Sequence, residues 1–428
     1  MAYIDKAVQR VMDNELYDLT FAFKKTRLWK KLWDSQLFAV AHADGSIGYC
    51  CVMGRAGKHL ALALYPGPEG LHAYRMMSID WDGLEPYELK EKALAQDCVM
   101  VSFQNKAELQ QEEQEALAAY CADRGVALRG QKACPQFERF RPLCHPWFLD
   151  ELGDIQHLKD ALMAALEVSR RLETRDAYAL GFTDGPPYGR DIPLLAPQKK
   201  RYAWRLLSLP QPPKLSFPFI GTLDDITMRR LKTAKKTEID WAARIFMNPE
   251  PTVDEAHRDP ETKRPLKAPV YPMMLMIMER LSGMILGITM APEPQDYLRL
   301  FTQGLVDLMV KSGKPRRILV RDERTHALFH QMCPQIGIKL EQVEAIEQLD
   351  EALAEFFEHF NKVKEADTDS SGMDDKILQM LKNLEQLPSL KEMPAEMLQY
   401  LLDLLPLGAV SEKLAGMVKT EAFNRGMM

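Results

Sequence analysis

Apolar residues follow two periods along this chain, and the switches between them mark its elements. Val8, Val11, Met12, Leu16 and Leu19 recur at helical spacing within residues 3–34, and Trp29 and Trp33, four apart, are expected to share a helix face. Short apolar runs at 37–41, 49–53 and 60–65 follow, separated by Asp44-Gly45 and by the glycine-bearing turn 54–57. They predict an antiparallel meander. Next come a short helix over 69–77, a compact strand over 98–103 and a helix over 107–124 stopped by Gly125. A short strand over 126–128, an edge element over 137–142 and a helix over 155–171 complete the first half, with Leu158, Leu162 and Leu166 of that helix on one face.

Residues 181–218 gather prolines and glycines, among them Gly185, Pro186, Pro187, Pro212 and Pro213, which is the composition of an inter-domain region. Within it, 202–209 reads as a strand of the second domain. A helix over 223–235 follows, with Asp224 and Asp225 in its first turn, where they suit the helix dipole. The pattern then predicts a strand over 238–247, a hairpin of 270–278 and 284–290 about Ser282-Gly283, and a helix over 295–312. A strand over 317–321, a helix over 324–333, a strand over 338–343 and a helix over 349–362 complete the domain. The acidic run at 366–375 is a linker by composition. Beyond it, Leu378, Leu381, Leu384 and Leu387 form one stripe, and Met397, Leu398, Leu401, Leu402, Leu404 and Leu405 another. Such helices are expected to dock on their own chain or on a protein partner.

The expected class is α/β, with two mixed-sheet domains and a helical C-terminal tail. Each domain has the order strand-strand-strand-helix-strand-helix-strand-helix. The expected divisions are an N-terminal helical segment (1–35), a first α/β domain (36–180), a Pro/Gly-rich linker (181–200), a second α/β domain (201–365), an acidic linker (366–376) and the tail (377–428). The stretches MVSFQNKAELQQEEQEALAAYCADRGVAL and ILVRDERTHALFHQMCPQIGIKL are locally alike, a likeness that either an internal duplication or the common form of any α/β unit would give.

Composition narrows the setting. A length of 428 residues suits two or three domains, and a net charge of −6 gives the whole molecule no nucleic-acid footprint. Seven cysteines without a CxxC pair argue against a disulfide framework or a structural zinc site. No basic stretch leads into an apolar run at the start, and the apolar stretch 271–292 is broken by Glu279 and Arg280. The expected compartment is the cytoplasm, with no membrane partner. The methionine cluster Met273, Met274, Met276 and Met278 is expected to pack a core.

The element order is also that of the ribonuclease H-like fold. YPMMLMIMERLSGMILGITMA, GKPRRILVRDERTHALF and GIKL resemble the core of retroviral-type integrases and transposases, over residues 238–362. The resemblance implies that Asp322 stands where that family keeps its second metal-binding aspartate. Its partners would have to be Asp240 in the first strand and either Asp350 or Glu351 on the final helix, Glu351 being the one carried forward, with Mg2+ as the cofactor. The chain departs from the family in the first strand, where Arg244 stands near the middle and would oppose a cation, and in Glu323, which replaces a glycine. The chain as a whole also resembles an uncharacterised family of bacterial two-domain proteins, through GYCCVMGRAGKHLALALYPGPEGL, PRRILVRDERTHALF and GIKL. That family brings no activity with it.

Other constellations are weaker. His326 and His330, four apart on one helix, could share a metal, but the glutamate of an HExxH protease is missing. The turns GRAG at 54–57 and GPEG at 67–70 lack the partners of a phosphate loop, and Cys144-His145 are adjacent residues that seldom aim at each other. The segment 199–236 is basic, with Lys199, Lys200, Arg201, Arg205, Arg229 and Arg230 around Tyr202 and Trp204, a composition that suits nucleic acid. The reading that follows is a non-catalytic binding or scaffold protein without a cofactor. A nucleic-acid-binding protein and a divergent metal-dependent nuclease are the alternatives.

Overall fold

In the computed structural model, the described residues are 14–57, 59–78, 86–199, 201–212, 217–254, 257–258, 260 and 265–358. The chain divides into two units, Met1–Asp350 and Glu351–Met428. Of the second unit, 351–358 are described and are helical. The expected helical positions Val8, Val11 and Met12, the acidic linker and the leucine-rich tail lie outside the described residues.

The first half opens with helix α1 (Asn14–Thr26) and the expected meander, β1 (Phe38–Ala41), β2 (Ile47–Met53) and β3 (Ala61–Pro66). Helices α2 (Gly67–Met77) and α3 (Pro86–Ala93), strand β4 (Cys98–Gln104), helix α4 (Gln111–Arg124), strand β5 (Cys134–Phe140) and helix α5 (Leu152–Arg171) follow. The hairpin of β6 (Asp191–Gln198) and β7 (Arg201–Ser208) completes a seven-stranded sheet of order β5-β4-β3-β2-β1-β6-β7. One face packs on α1 and α5 through Leu16, Phe23, Leu158 and Leu162. Leu71 and Tyr74 of α2 belong to the core on the other face.

Three expectations change here. The stretch expected as linker, and the strand expected to open the second domain, together form the β6–β7 hairpin of the first sheet. Pro193 and Pro197 are tolerated because β6 pairs with β1 only at Leu194 and Leu195. The strand expected at 126–128 is absent; Val126 is exposed, and β5 begins only at Cys134, which with Phe137 is buried in the core. Trp29 and Trp33 do not share a face, because α1 ends at Thr26 and a 3-10 turn follows. Trp29 is buried, and Trp33 lies outside under the Arg55 guanidinium at 3.7 Å.

In the second half, Asp224 caps helix α6 (Asp225–Thr233) by accepting from the Thr227 amide at 2.9 Å. Strands β8 (Asp240–Met247), β9 (Met273–Glu279) and β10 (Ile285–Ala291), helix α7 (Tyr297–Ser312), strand β11 (Arg317–Val320), helices α8 (Glu323–Phe329) and α9 (Met332–Gln335), strand β12 (Lys339–Gln342) and a helix over 347–358 follow. The sheet order is β10-β9-β8-β11-β12, with β8 antiparallel to β9 and parallel to β11. Every residue of β8 is buried, as suits the central strand. Met273 joins the core with Phe301, Leu305 and Met309 of α7, while Met274, Met276 and Met278 are buried on the opposite face.

Both halves are therefore mixed-sheet α/β; the second keeps the expected order along the chain, and the first adds helix α3 and the β6–β7 hairpin to it and takes β5 as its last expected strand. The wiring differs. In the second sheet the fourth strand, β11, lies parallel beside the first, β8. In the first sheet β4 lies antiparallel beside the third, β3. The local sequence likeness does not extend to strand pairing.

Helix α7 can lie close on β10 because Gly304 faces Thr289; a Cβ at Gly304 would come within 2.3 Å of Thr289 Oγ1 and 3.2 Å of its Cβ. Gly304→Ala is expected to destabilise the fold by about 1 kcal/mol, since the overlap outweighs a helix-propensity gain of similar size. Adding Thr289→Ala should remove the overlap and recover most of that loss, read as non-additive shifts in urea midpoints.

Candidate functional site

The two halves of the first unit are joined along a seam. Residues 143–145 and 269–271 form a short antiparallel bridge, in which the His145 amide donates to the Pro269 carbonyl at 2.8 Å and the Tyr271 amide to the Leu143 carbonyl at 2.7 Å. Leu94 and Leu143 of the first half pack on the core of the second. This arrangement commits Cys144 and His145 to the join. Helix α3 forms the rest of the seam, with Lys90 donating to the Pro249 carbonyl and Glu88 and Glu91 directed at arginines of the second half.

Asp322 stands beside this seam for a structural reason. β11 stops at Val320 while β8 runs on to Met247, so amides of β8 outlast their parallel partner. Thr325, fully buried, answers for the lost strand, its Oγ1 accepting from the Ile245 amide at 2.9 Å. Asp322 then holds Thr325, accepting from its amide at 2.8 Å and its hydroxyl at 2.7 Å, which makes Asp322 the N-cap of α8.

Arg244, in the middle of β8 and 6% exposed, brings its guanidinium to the same place. It lies 3.1 Å from Glu88, 3.5 Å from Asp322 and 4.0 Å from Asp350. Arg321 reaches Asp350 at 3.2 Å, and Arg324 pairs with Glu91. Arg244, Glu88, Glu91, Asp322 and Arg324, with Phe217, Lys92 and Glu323, line a cleft of about 260 Å³ between α3 and the start of α8. The position beside Asp322 thus holds a fixed positive charge, enclosed among carboxylates drawn from both halves.

The remaining candidates are dispersed. Asp240 opens β8 and is gripped by Arg316 at 2.9 Å and Arg317 at 2.8 Å; hydrogen bonds from these two side chains hold its carboxyl below the usual range. Because Asp240 pairs in register with Arg317 and Ala243 with Val320, Asp240 and Asp322 lie at opposite ends of the β8–β11 pair. They are about 16 Å apart along the strand, at ~3.3 Å per residue. Glu351 is an exposed residue at the start of the second unit. The carboxylate set implied by the integrase resemblance is not assembled between Asp240 and Asp322.

His326 and His330 stack with centroids 6.4 Å apart, and His330 Nδ1 donates to the Ala327 carbonyl at 2.7 Å. Among the described residues no group of three or more His, Cys, Asp or Glu is arranged to hold a metal ion. The basic segment is split between sheets. Lys199 forms the β6–β7 turn with φ 51, Arg201 and Arg205 are exposed on edge strand β7, and Lys200 lies outside the described residues. Arg229 and Arg230 are on α6, where Arg230 pairs with Asp307 at 2.7 Å. Trp204 is committed to the fold, its indole donating to the Leu180 carbonyl at 3.0 Å beneath the Arg171 guanidinium at 4.5 Å. It is not free to stack on a base.

Two groupings carried no signal in the sequence. One is the pair Glu88 and Glu91, whose meaning depends on arginines that lie far along the chain. The other joins the β1–β2 turn to α5: His42 meets Asp160 at 2.8 Å, His157 meets Asp44 at 3.1 Å, and the two imidazoles stack with centroids 4.0 Å apart.

Removing the cation at the centre of the seam leaves three carboxylates facing one another. Arg244→Met should therefore cost about 3–5 kcal/mol in urea unfolding, the range for breaking a buried ion pair from one side. Asp240→Asn should behave differently with pH. The folded-state pKa of Asp240 is lowered from 3.8, so its contribution is fully present above that value and is lost as pH falls through the depressed one. The stability difference between wild type and Asp240→Asn should be constant near neutrality and shrink below about pH 4, as read from unfolding curves across an acid series.

Residues 14–186 match the family model of a domain of unknown function (DUF7309), and residues 227–357 match that of another (DUF6930). No curated protein matches the chain. No helix among the described residues is long and apolar enough to cross a membrane. The chain is a two-domain protein whose halves match two distinct domains of unknown function.

Proposed function

We propose that this chain is a non-catalytic binding or scaffold protein of the bacterial cytosol, whose second half is a ribonuclease H-like unit with its metal position given over to an arginine. One observation carries the reading: the Arg244 guanidinium, buried in the central strand, lies 3.5 Å from Asp322. Two-metal phosphoryl transfer needs carboxylates free to hold cations about 4 Å apart. Here Asp322 is spent on capping α8 and facing Arg244, and Asp240 is spent on Arg316 and Arg317. The order of elements over 240–358 supports the ribonuclease H-like comparison. Seven unpaired thiols, five of them buried, support a reducing compartment. In this reading the seam cleft is the recess for a small polar ligand, the leucine-rich segment 377–428 is the part that meets a protein partner, and no cofactor is needed.

The test is direct. Full-length protein is incubated with labelled single- and double-stranded DNA, RNA and RNA–DNA hybrid, with millimolar Mg2+ or Mn2+. We expect no cleavage above the blank and no difference between wild type and Asp322→Asn. Metal-dependent cleavage that disappears in a folded Asp322→Asn variant would sink the reading in favour of a nuclease. Salt-sensitive retention of these nucleic acids that is lost on changing Arg201 and Arg205 to glutamine would instead move it to nucleic-acid binding.

A further inference from the structure

The four sheet edges differ in charge. β5 carries Glu138 and Arg139, β7 carries Arg201 and Arg205, and β12 carries Lys339 and Glu341, whereas β10, ILGITMA, carries none. Charged side chains on an edge discourage another strand from adding to it, so among the described residues β10 is the edge left open to pairing.

Its side chains point the same way. In the β9–β10 register, Ile285 lies opposite Met278, Ile288 opposite Met276 and Met290 opposite Met274, which places them on one face of the sheet. That face is buried at β9 but emerges at β10, where Ile285, Ile288 and Met290 are 45%, 41% and 47% exposed. The other face of β10 is occupied, with Gly287 against Leu308 and Thr289 against Gly304 of α7.

We propose that β10 pairs antiparallel with β10 of a second copy of this chain, about a two-fold axis at Thr289. The register is set by the bulge between Ile285 and Gly287, which leaves 287–291 as the regular run. Centred on Thr289, Ile288 falls opposite Met290 of the second copy and Gly287 opposite Ala291. Outward residues then meet outward residues, and small residues meet beneath them. Centred on Ile288 instead, Met290 would meet Leu286, which packs towards the core, and the faces would not match. The contact is isologous and closes at two copies, because the far edge, β12, is charged. A short strand and three apolar side chains fall below the ~800 Å² per partner of a standard interface, so the dimer is concentration-dependent.

Sedimentation velocity on the full chain from about 1 to about 100 µM should show the mass rising from monomer towards twice that value, the span being that of a small, weak interface. Ile288→Lys, a change at an exposed position, should remain monomeric throughout with an unchanged Tm. The double variant Ile288→Cys with Met290→Cys should form a disulfide-linked dimer under mild oxidation, because the two thiols of one strand point along the same face but are too far apart to bond each other. Wild-type chain that stays monomeric over the whole range would overturn the proposal. A folded Ile288→Lys variant that still dimerises would overturn it as well. A dimer whose double-cysteine variant does not cross-link would refute the antiparallel pairing about Thr289.

Discussion

A guanidinium enclosed in the middle of β8 must be matched by carboxylates, and the source of those carboxylates fixes how the two halves meet. Arg244 takes Asp322 and Asp350 from its own half and Glu88 from α3 of the other. Removing an arginine from water costs several kcal/mol, and the cost is offset only when such partners are held in place. The second half therefore requires α3 beside it, and α3 is held there by the neighbouring bridge of 143–145 with 269–271. The cleft beside α3 follows from that arrangement, while Asp322 is placed there by its cap on Thr325.

The parts of the fold that were legible in the sequence were those governed by local pattern. The meander, the helix ending at Gly125, the acidic start of the helix at 224–225 and the hairpin about Ser282-Gly283 rest on alternation, spacing and turn chemistry within a few residues. Strand pairing between distant segments was not legible. The β6–β7 hairpin has the prolines of a linker and joins β1 only through a two-residue register, which no local pattern records. The different position of β4 in the first sheet is equally a matter of which strand it joins, which the order along the chain does not record. The candidate site was half visible. Arg244 was recognisable as a residue that would oppose a cation beside Asp322, and the structure brings the two together. Glu88 and Glu91 were unreadable, because an acidic residue on a short helix looks like a solvated one until its partner is known.

The seam divides its labour between two kinds of contact. Leu94 and Leu143 bury apolar surface in the second core, and the bridge adds backbone hydrogen bonds; these supply affinity between the halves. The ion cluster adds little net stability, since desolvation and attraction nearly cancel, but it penalises any other arrangement by leaving charges unmatched. Two attachments at separate points, the bridge and α3, also resist rotation about either one. The cleft between α3 and α8 lies at the second of these attachments. Its charges are therefore already paired where the chain folds, Arg244 among Glu88, Asp322 and Asp350 and Arg324 with Glu91.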